Sequence, residues 1–154
     1  MSDVHQALGK LNLFRGLAPE GLERIAAIAG EETHEPGSFV FHEGEMGDKL
    51  YLILDGKVRI SRNLPGMGEE ALAVLGAGES FGEMSLIDDT PRSADAVVHE
   101  RARLLVITRE AFEDLLFLHK DLAYEILWNF VKTLSGRLRE ANDKMAFMTV
   151  TARF

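Results

Sequence analysis

From about Glu31 to Thr108 the sequence is a succession of short apolar runs cut by glycine, and this alternation restricts the fold more than any other feature. The runs are Phe39-Val40-Phe41, Leu50 to Leu54, Lys57 to Ile60, Ala71 to Leu75, Ala96-Val97-Val98 and Leu104 to Ile107. Pro36-Gly37, Gly44, Gly47, Asp55-Gly56, Pro65-Gly66, Gly76 and Gly78 separate them. Closely spaced short strands with turn residues between them build a barrel, a roll or a sandwich. No insert is long enough for a crossover helix, which disfavours a parallel α/β sheet. Asp55-Gly56 predicts a two-residue hairpin.

Helical periodicity flanks this region on both sides. Leu8, Leu11 and Leu13-Phe14 precede Ala18-Pro19-Glu20, where proline and an acid suit a first helical turn. Leu22, Ile25, Ala26, Ile28 and Ala29 then make an apolar face, and Gly30 is a plausible stop. Thr108 is placed to cap a short helix carrying Phe112, Leu115 and Leu116. A long helix is expected from about Asp121. Its apolar positions Leu127, Val131, Leu134, Leu138, Ala141, Met145 and Met148 repeat at alternating steps of four and three, a heptad seam suited to pairing with a second copy of the chain. Ser135 and Gly136 lower its helix propensity slightly. At 154 residues the expectation is one domain over 1–154, helical over 1–30, a roll over 31–108 and helices over 109–148.

Charge and residue usage narrow the function. With 17 basic and 25 acidic side chains the formal net charge is −8, which opposes a whole-domain grip on DNA or anionic lipid. The absence of cysteine removes disulfides, thiolate zinc sites and a cysteine nucleophile. The opening residues Met-Ser-Asp-Val-His-Gln lack the charged and apolar regions of a signal peptide, and no apolar run approaches the ~18 residues of a membrane helix, so a soluble, cytoplasmic protein is expected. His5, His34, His42, His99 and His119 show no metal-ligand spacing. No metal site and no catalytic residue are expected, and an enzyme of the double-stranded β-helix type lacks its His/Glu metal pattern.

The stretch from Phe81 to Ala94, reading Phe-Gly-Glu-Met-Ser-Leu-Ile-Asp-Asp-Thr-Pro-Arg-Ser-Ala, carries the chemistry. Glu83 to Ile87 is one helical turn long, and amides around Met84, Ser85 and Leu86 are expected to face an anion. Arg92 and Ser93 add one fixed cation and one hydroxyl. One arginine with a few amides suits a single monoanionic phosphate, and no Gly-Lys-Ser/Thr sequence exists to hold a triphosphate. Glu83 would repel phosphate but accepts hydrogen bonds from sugar hydroxyls. Ribose with one phosphate satisfies this set. The plainer alternatives are a surface ion pair of Arg92 with Asp88 or Asp89, and a dipole-serving acid at Glu83.

This stretch resembles the phosphate-binding cassette of cyclic nucleotide-binding domains. Phe14-Arg15-Gly16-Leu17, Pro36-Gly37, Glu43-Gly44, Leu50 to Leu54 with Gly56, and Gly78 with Phe81-Gly82-Glu83 follow the family's order over roughly residues 11 to 145. The resemblance implies a mainly β fold with flanking helices: an antiparallel β-roll, jelly-roll-like, with N-terminal helices and a long C-terminal helix. It implies that Arg92 pairs with a cyclic phosphate, that Ser93 bonds it, and that the Ala94 amide assists. Glu83, with the Gly82 backbone alongside, would accept the ribose 2′-hydroxyl. Ile60 and Leu72 match positions lining the base side. Ser93 stands where cGMP-preferring members commonly carry Thr, so cAMP is expected over cGMP. Ala141-Asn142, counted from Arg137-Leu138, is the closest match to the polar pair that reads the purine edge in cAMP-receptor-type regulators, with only Asn142 polar. Arg137 and Asn142 flank the seam, where a pocket could meet both chains.

Asp95 departs from the family pattern, and turned inward beside Ser93 it would weaken phosphate binding. That makes a degenerate, non-binding homologue a rival expectation. In cAMP-receptor-type transcription regulators a helix-turn-helix follows the long helix. Here residues 146–154 resemble only the hinge leading to it, so a sensor fragment of such a regulator is a second alternative, with no DNA contact expected of this chain alone. Nothing in the sequence identifies a downstream protein partner.

Overall fold

The computed structural model describes residues 3–153, with no account of the side chains at 3 and 150–153. Two helices, α1 (Asp3–Lys10) and α2 (Pro19–Ile28), flank a single 3-10 turn at Asn12–Phe14. Six strands follow: β1 (Gly30–His34), β2 (Phe39–Phe41), β3 (Lys49–Leu64), β4 (Gly68–Leu75), β5 (Ser80–Phe81) and β6 (Asp95–Thr108). A short 3-10 turn at Glu83–Leu86 lies between β5 and β6, and α3 (Arg109–Leu118) and α4 (Lys120–Arg153) complete the chain. Every strand pairing is antiparallel. The order is β1-β6-β3-β4, with β2 beside β6 and β5 beside β3. This is the β-roll with flanking helices that the family resemblance implies, one of the three architectures the glycine-cut runs allow.

The roll differs from the sequence reading in one instructive way. Leu50–Leu54 and Lys57–Ile60 belong to the single strand β3, and Asp55-Gly56 forms no hairpin. β3 stays paired with β6 on both sides of it, from Lys49↔Thr108 to Ser61↔Asp95, with register shifts around Asp55 and Lys57. Gly56 has a φ of 88°, and a Cβ there would sit 2.1 Å from the Arg101 carbonyl oxygen. The residue pair that favours a tight turn locally serves here as a glycine bulge, because long-range pairing on both flanks outweighs the local preference. The hairpin falls instead at Pro65-Gly66-Met67, where the Met67 amide donates to Leu64 O at 3.0 Å. Likewise Gly30 opens β1 rather than ending α2.

The continuous apolar run of β3 follows from burial on both faces. Leu50 and Leu52 face a helical core with Leu8, Phe14, Ile25, Ile107, Phe112, Ile126 and Phe130. Tyr51 and Ile53 face the interior of the roll with Val58, Phe81, Val98 and Leu104. Thr108 caps α3 by accepting from the Ala111 amide at 3.2 Å. Phe112 meets Phe130 edge-on at 6.2 Å, which fixes α3 against α4 and is worth roughly 0.5–1.5 kcal/mol beyond its buried area.

Helix α4 changes character along its length. Leu122, Ala123, Ile126 and Phe130 are buried, and Asn129 Nδ2 donates to Leu13 O and Arg15 O at 3.0 Å each. Beyond Phe130 no described residue of the helix is buried. The helix reaches Arg153 rather than ending near 148, uninterrupted at Ser135 and Gly136. Phe154, the last residue of the expected hinge, lies outside the described residues, as do positions 1 and 2. The seam is largely open in the single chain: Leu127, Val131, Leu138, Ala141 and Met145 are exposed and Leu134 is half-buried.

Candidate ligand site

A pocket of about 590 Å³ opens where the 83–94 segment meets β2, β3 and α4, within the ordinary range for a small-molecule site. Gly82, Glu83, Met84, Ser85, Arg92, Ser93, Ala94, Ile60 and Arg137 all line it, together with Phe41, Leu75 and Phe81. Residues separated by more than fifty positions in sequence thus converge on one cavity.

Arg92 is its most informative group. Only 8% of its surface is exposed. One terminal nitrogen donates to Lys49 O at 3.1 Å, while the buried Nε has no hydrogen-bond partner. The guanidinium carbon lies 4.1 Å from the centre of the Phe41 ring and 5.9 Å from that of Tyr51. No carboxylate pairs with Arg92 among the described residues. Burial pulls its pKa below the usual arginine value, against the opposing fields of Tyr51, Asp48 and Glu45. The same burial pushes the Tyr51 phenol up, with Glu32 adding to the rise and Arg92 opposing it. A buried cation with an orphaned donor is costly unless something anionic meets it. This excludes the plain surface-pair alternative, since Asp89 pairs with Arg109, and Asp88 accepts from the Thr90 amide and hydroxyl at 2.8 and 2.6 Å.

Glycine makes room for this arginine. Gly82 adopts a φ of 81°, and a Cβ on it would lie 2.6 Å from Arg92 Nη1 and 2.9 Å from Lys49 O. On Gly47 a Cβ would fall 2.2 Å from Arg92 Nε and 2.6 Å from Ser85 Oγ. Gly82 therefore does more than end β5: its left-handed backbone starts the 3-10 turn that buries Glu83, Ser85 and Leu86. Of the three amides expected to be free, that of Ser85 is already committed to Gly82 O at 3.1 Å. That removes one of the three amides expected to face an anion.

Glu83 is 7% exposed and forms an ion pair with Arg137 of α4. The carboxylate thus has a structural partner besides any helix-end role, and the pair ties the pocket wall to the long helix. Met84 is partly exposed at the rim, Ser93 is exposed toward the pocket and Ala94 is buried behind it.

Three expectations need correction. Leu72 does not line the pocket. It is the extra residue of a bulge in β4, between Ala73 paired with Ile60 and Ala71 paired with Ser61, and it is 54% exposed. Asn142 is exposed and also outside the pocket: it lies five residues beyond Arg137, ~7.5 Å farther along a straight helix. Asp95 does not turn toward Ser93. Its Oδ1 accepts from the Glu43 amide at 2.7 Å, so the carboxylate is spent on a neighbouring turn. The sequence reading missed Phe41, Tyr51 and Gly47 as neighbours of Arg92. The apolar run Leu50 to Leu54 marked Tyr51 as part of a buried strand, but neither its face nor its meeting with residue 92 was legible.

Among the described residues no cluster of His, Cys, Asp or Glu is arranged to hold a metal ion. No helix among the described residues is long and apolar enough to cross a membrane.

The family model of the cyclic nucleotide-binding domain matches residues 31–119. The cyclic AMP receptor protein of Thermus thermophilus is 42% identical over 137 residues, covering 89% of this chain and 62% of that protein. The CRP-like cAMP-activated global transcriptional regulator of Mycobacterium tuberculosis is 30% identical over 148 residues, covering 96% of this chain and 64% of the regulator. The present chain therefore spans less than two thirds of either relative. The crystal structure of the N-terminal domain of a transcriptional regulator from Streptomyces coelicolor superposes with a TM-score of 0.80 at 34% identity, covering 90% of this chain and 94% of that one.

Proposed function

From the premise that this chain belongs to the cyclic nucleotide-binding domain family, we propose that it is a regulatory module binding cAMP in preference to cGMP, without catalytic activity. The observation carrying this reading is the buried Arg92, whose guanidinium has an unpartnered nitrogen and no carboxylate counterion in a pocket of about 590 Å³. A cyclic phosphate supplies the missing negative charge. Ser93 offers a hydroxyl at the same end, and Glu83 accepts a ribose hydroxyl. Phe41, Ile60 and Leu75 supply the apolar surface for the base. Ser93 in place of threonine and the cAMP named in both relatives favour adenine over guanine.

Occupancy reaches the long helix through Glu83. Its carboxylate is held by Arg137 in the single chain, so a sugar hydroxyl at Glu83 changes the partners of that pair and biases α4 by differential contact. The seam at Leu127, Val131, Leu134, Leu138, Ala141 and Met145 then joins two copies into a homodimer. Titration calorimetry tests the binding: one site per chain is expected, with cAMP tighter than cGMP, and no heat with either nucleotide overturns the reading.

A second reading is favoured by the regulators named among the relatives and by the chain's 62–64% coverage of their length. In it the chain is the sensor portion of a DNA-binding transcription regulator. Restoring specific DNA binding by fusing a helix-turn-helix module after α4 supports it. The rival of a degenerate homologue loses its main argument, because Asp95 is occupied at Glu43.

A further inference from the structure

Arg109 opens α3, yet its side chain turns toward the 83–90 segment. Its Nε donates to Ser85 O at 2.7 Å, and its terminal nitrogens reach Gly47 O at 3.4 Å, Asp88 O and the Asp89 carboxylate. Its backbone amide donates to Asp48 O at 2.7 Å. One planar fork thus joins three pieces of chain: the 3-10 turn, the turn after it, and the loop before β3. Only arginine carries enough donors in fixed directions to do this. Most of the acceptors are main-chain carbonyls, so the contact fixes backbone path. The Asp89 carboxylate is 83% exposed and adds little.

Two of these acceptors belong to the residues that enclose Arg92. Gly47 and Ser85 lie so close to the Arg92 guanidinium and to each other that one added carbon would collide with both side chains. Arg109 itself starts the helix whose Phe112 packs on Phe130 of α4. We infer that Arg109 is a positioning residue: it holds the Gly47 and Ser85 walls against Arg92, presetting that arginine for a phosphate, and makes the 83–90 segment and α3 move as one body. This rests on the reading that the pocket takes a cyclic nucleotide. Losing the clasp leaves the pocket chemistry intact but costs the ordering of two loops at each binding event.

The test compares the native chain with Arg109→Met, Arg109→Lys and, as a surface control, Arg24→Met. cAMP affinity and dissociation rate are measured, along with hydrogen exchange without ligand. Both Arg109 variants are expected to bind about tenfold or more weakly and to release cAMP faster. Without ligand, amides of residues 44–49 and 84–90 exchange faster while those of β1 and β6 do not. Lysine does not rescue, because one ammonium cannot span these acceptors, and Arg24→Met leaves affinity unchanged. A folded Arg109→Met with native affinity and native exchange overturns the inference. If Arg109→Met does not fold, Arg109→Lys decides by the same two measurements. A native chain that takes up no cAMP overturns the proposed function instead, and the exchange measurement still judges the clasp.

Discussion

At one end of the pocket Arg92, Glu83 and Ser85 are buried, and their surroundings tolerate not one extra carbon at Gly47 or Gly82. At the other end Ile60 is only half-buried, and Leu72 and Asn142, expected to help close it, lie outside the pocket, one on a bulge and the other facing solvent. The same contrast recurs along α4, whose buried positions all lie at or before Phe130 among the described residues. On the proposed function, a single copy therefore offers an enclosed cation for the phosphate and leaves the wall for the base unfinished. The exposed half of α4 runs from that wall, and a second copy seated on it would complete what one chain leaves open.

The largest expected effect lies at the finished end. Arg92→Ala should cost about 2–4 kcal/mol of cAMP affinity by calorimetry, the scale of a charge-assisted contact in a desolvated site. Its thermal midpoint should hold or rise, since a buried unpaired cation is removed. Unchanged affinity would break the contrast at once. Next, Leu138→Asp should convert dimers to monomers in sedimentation, because a carboxylate in a paired seam is buried without a partner. Dimers that persist would move the interface elsewhere. Glu83→Gln should then lose about 1.5–3 kcal/mol of affinity through its weaker acceptor. Leu72→Ala should change affinity by less than about 0.5 kcal/mol, as for a surface position away from the site; a loss resembling that at Arg92 would show the bulge closing over the base.

The smallest effect is one of pH. Hydrogen bonds from the Thr90 hydroxyl and amide hold the Asp88 carboxyl below its ordinary pKa. A depressed folded pKa means that the turn's contribution is present above the unfolded value and lost as pH falls through the folded one. Thr90→Val should move the Asp88 midpoint upward in an NMR titration and shift that loss to higher pH. An unmoved midpoint would assign the depression to the backbone bond or to Arg109.

Much of this was legible in the chain itself. The turn residues marked a barrel, roll or sandwich, because a glycine or proline between short apolar runs leaves few alternatives, and the family resemblance selected the roll. Thr108 marked a helix start, since a capping hydroxyl acts within one turn. Arg92 and Glu83 announced themselves through local spacing. Asp55-Gly56 misled for the same reason: its preference is local, whereas the pairing of β3 with β6 is set by residues some fifty positions away. Asp95 misled likewise, its partner being the Glu43 amide 52 positions earlier.

By itself the sequence determined which segments extend, which coil and which residue types could meet an anion, because propensity, capping and periodicity are properties of neighbouring residues. Only the tertiary structure decided that Arg92 would be enclosed between two aromatic rings and two glycines, that Asp95 would face away, and that Arg109 would grip Ser85, Asp88 and Gly47. Those outcomes depend on which distant backbone atoms arrive within a few ångströms of one another, and hydrogen bonds and van der Waals contacts act only over that range.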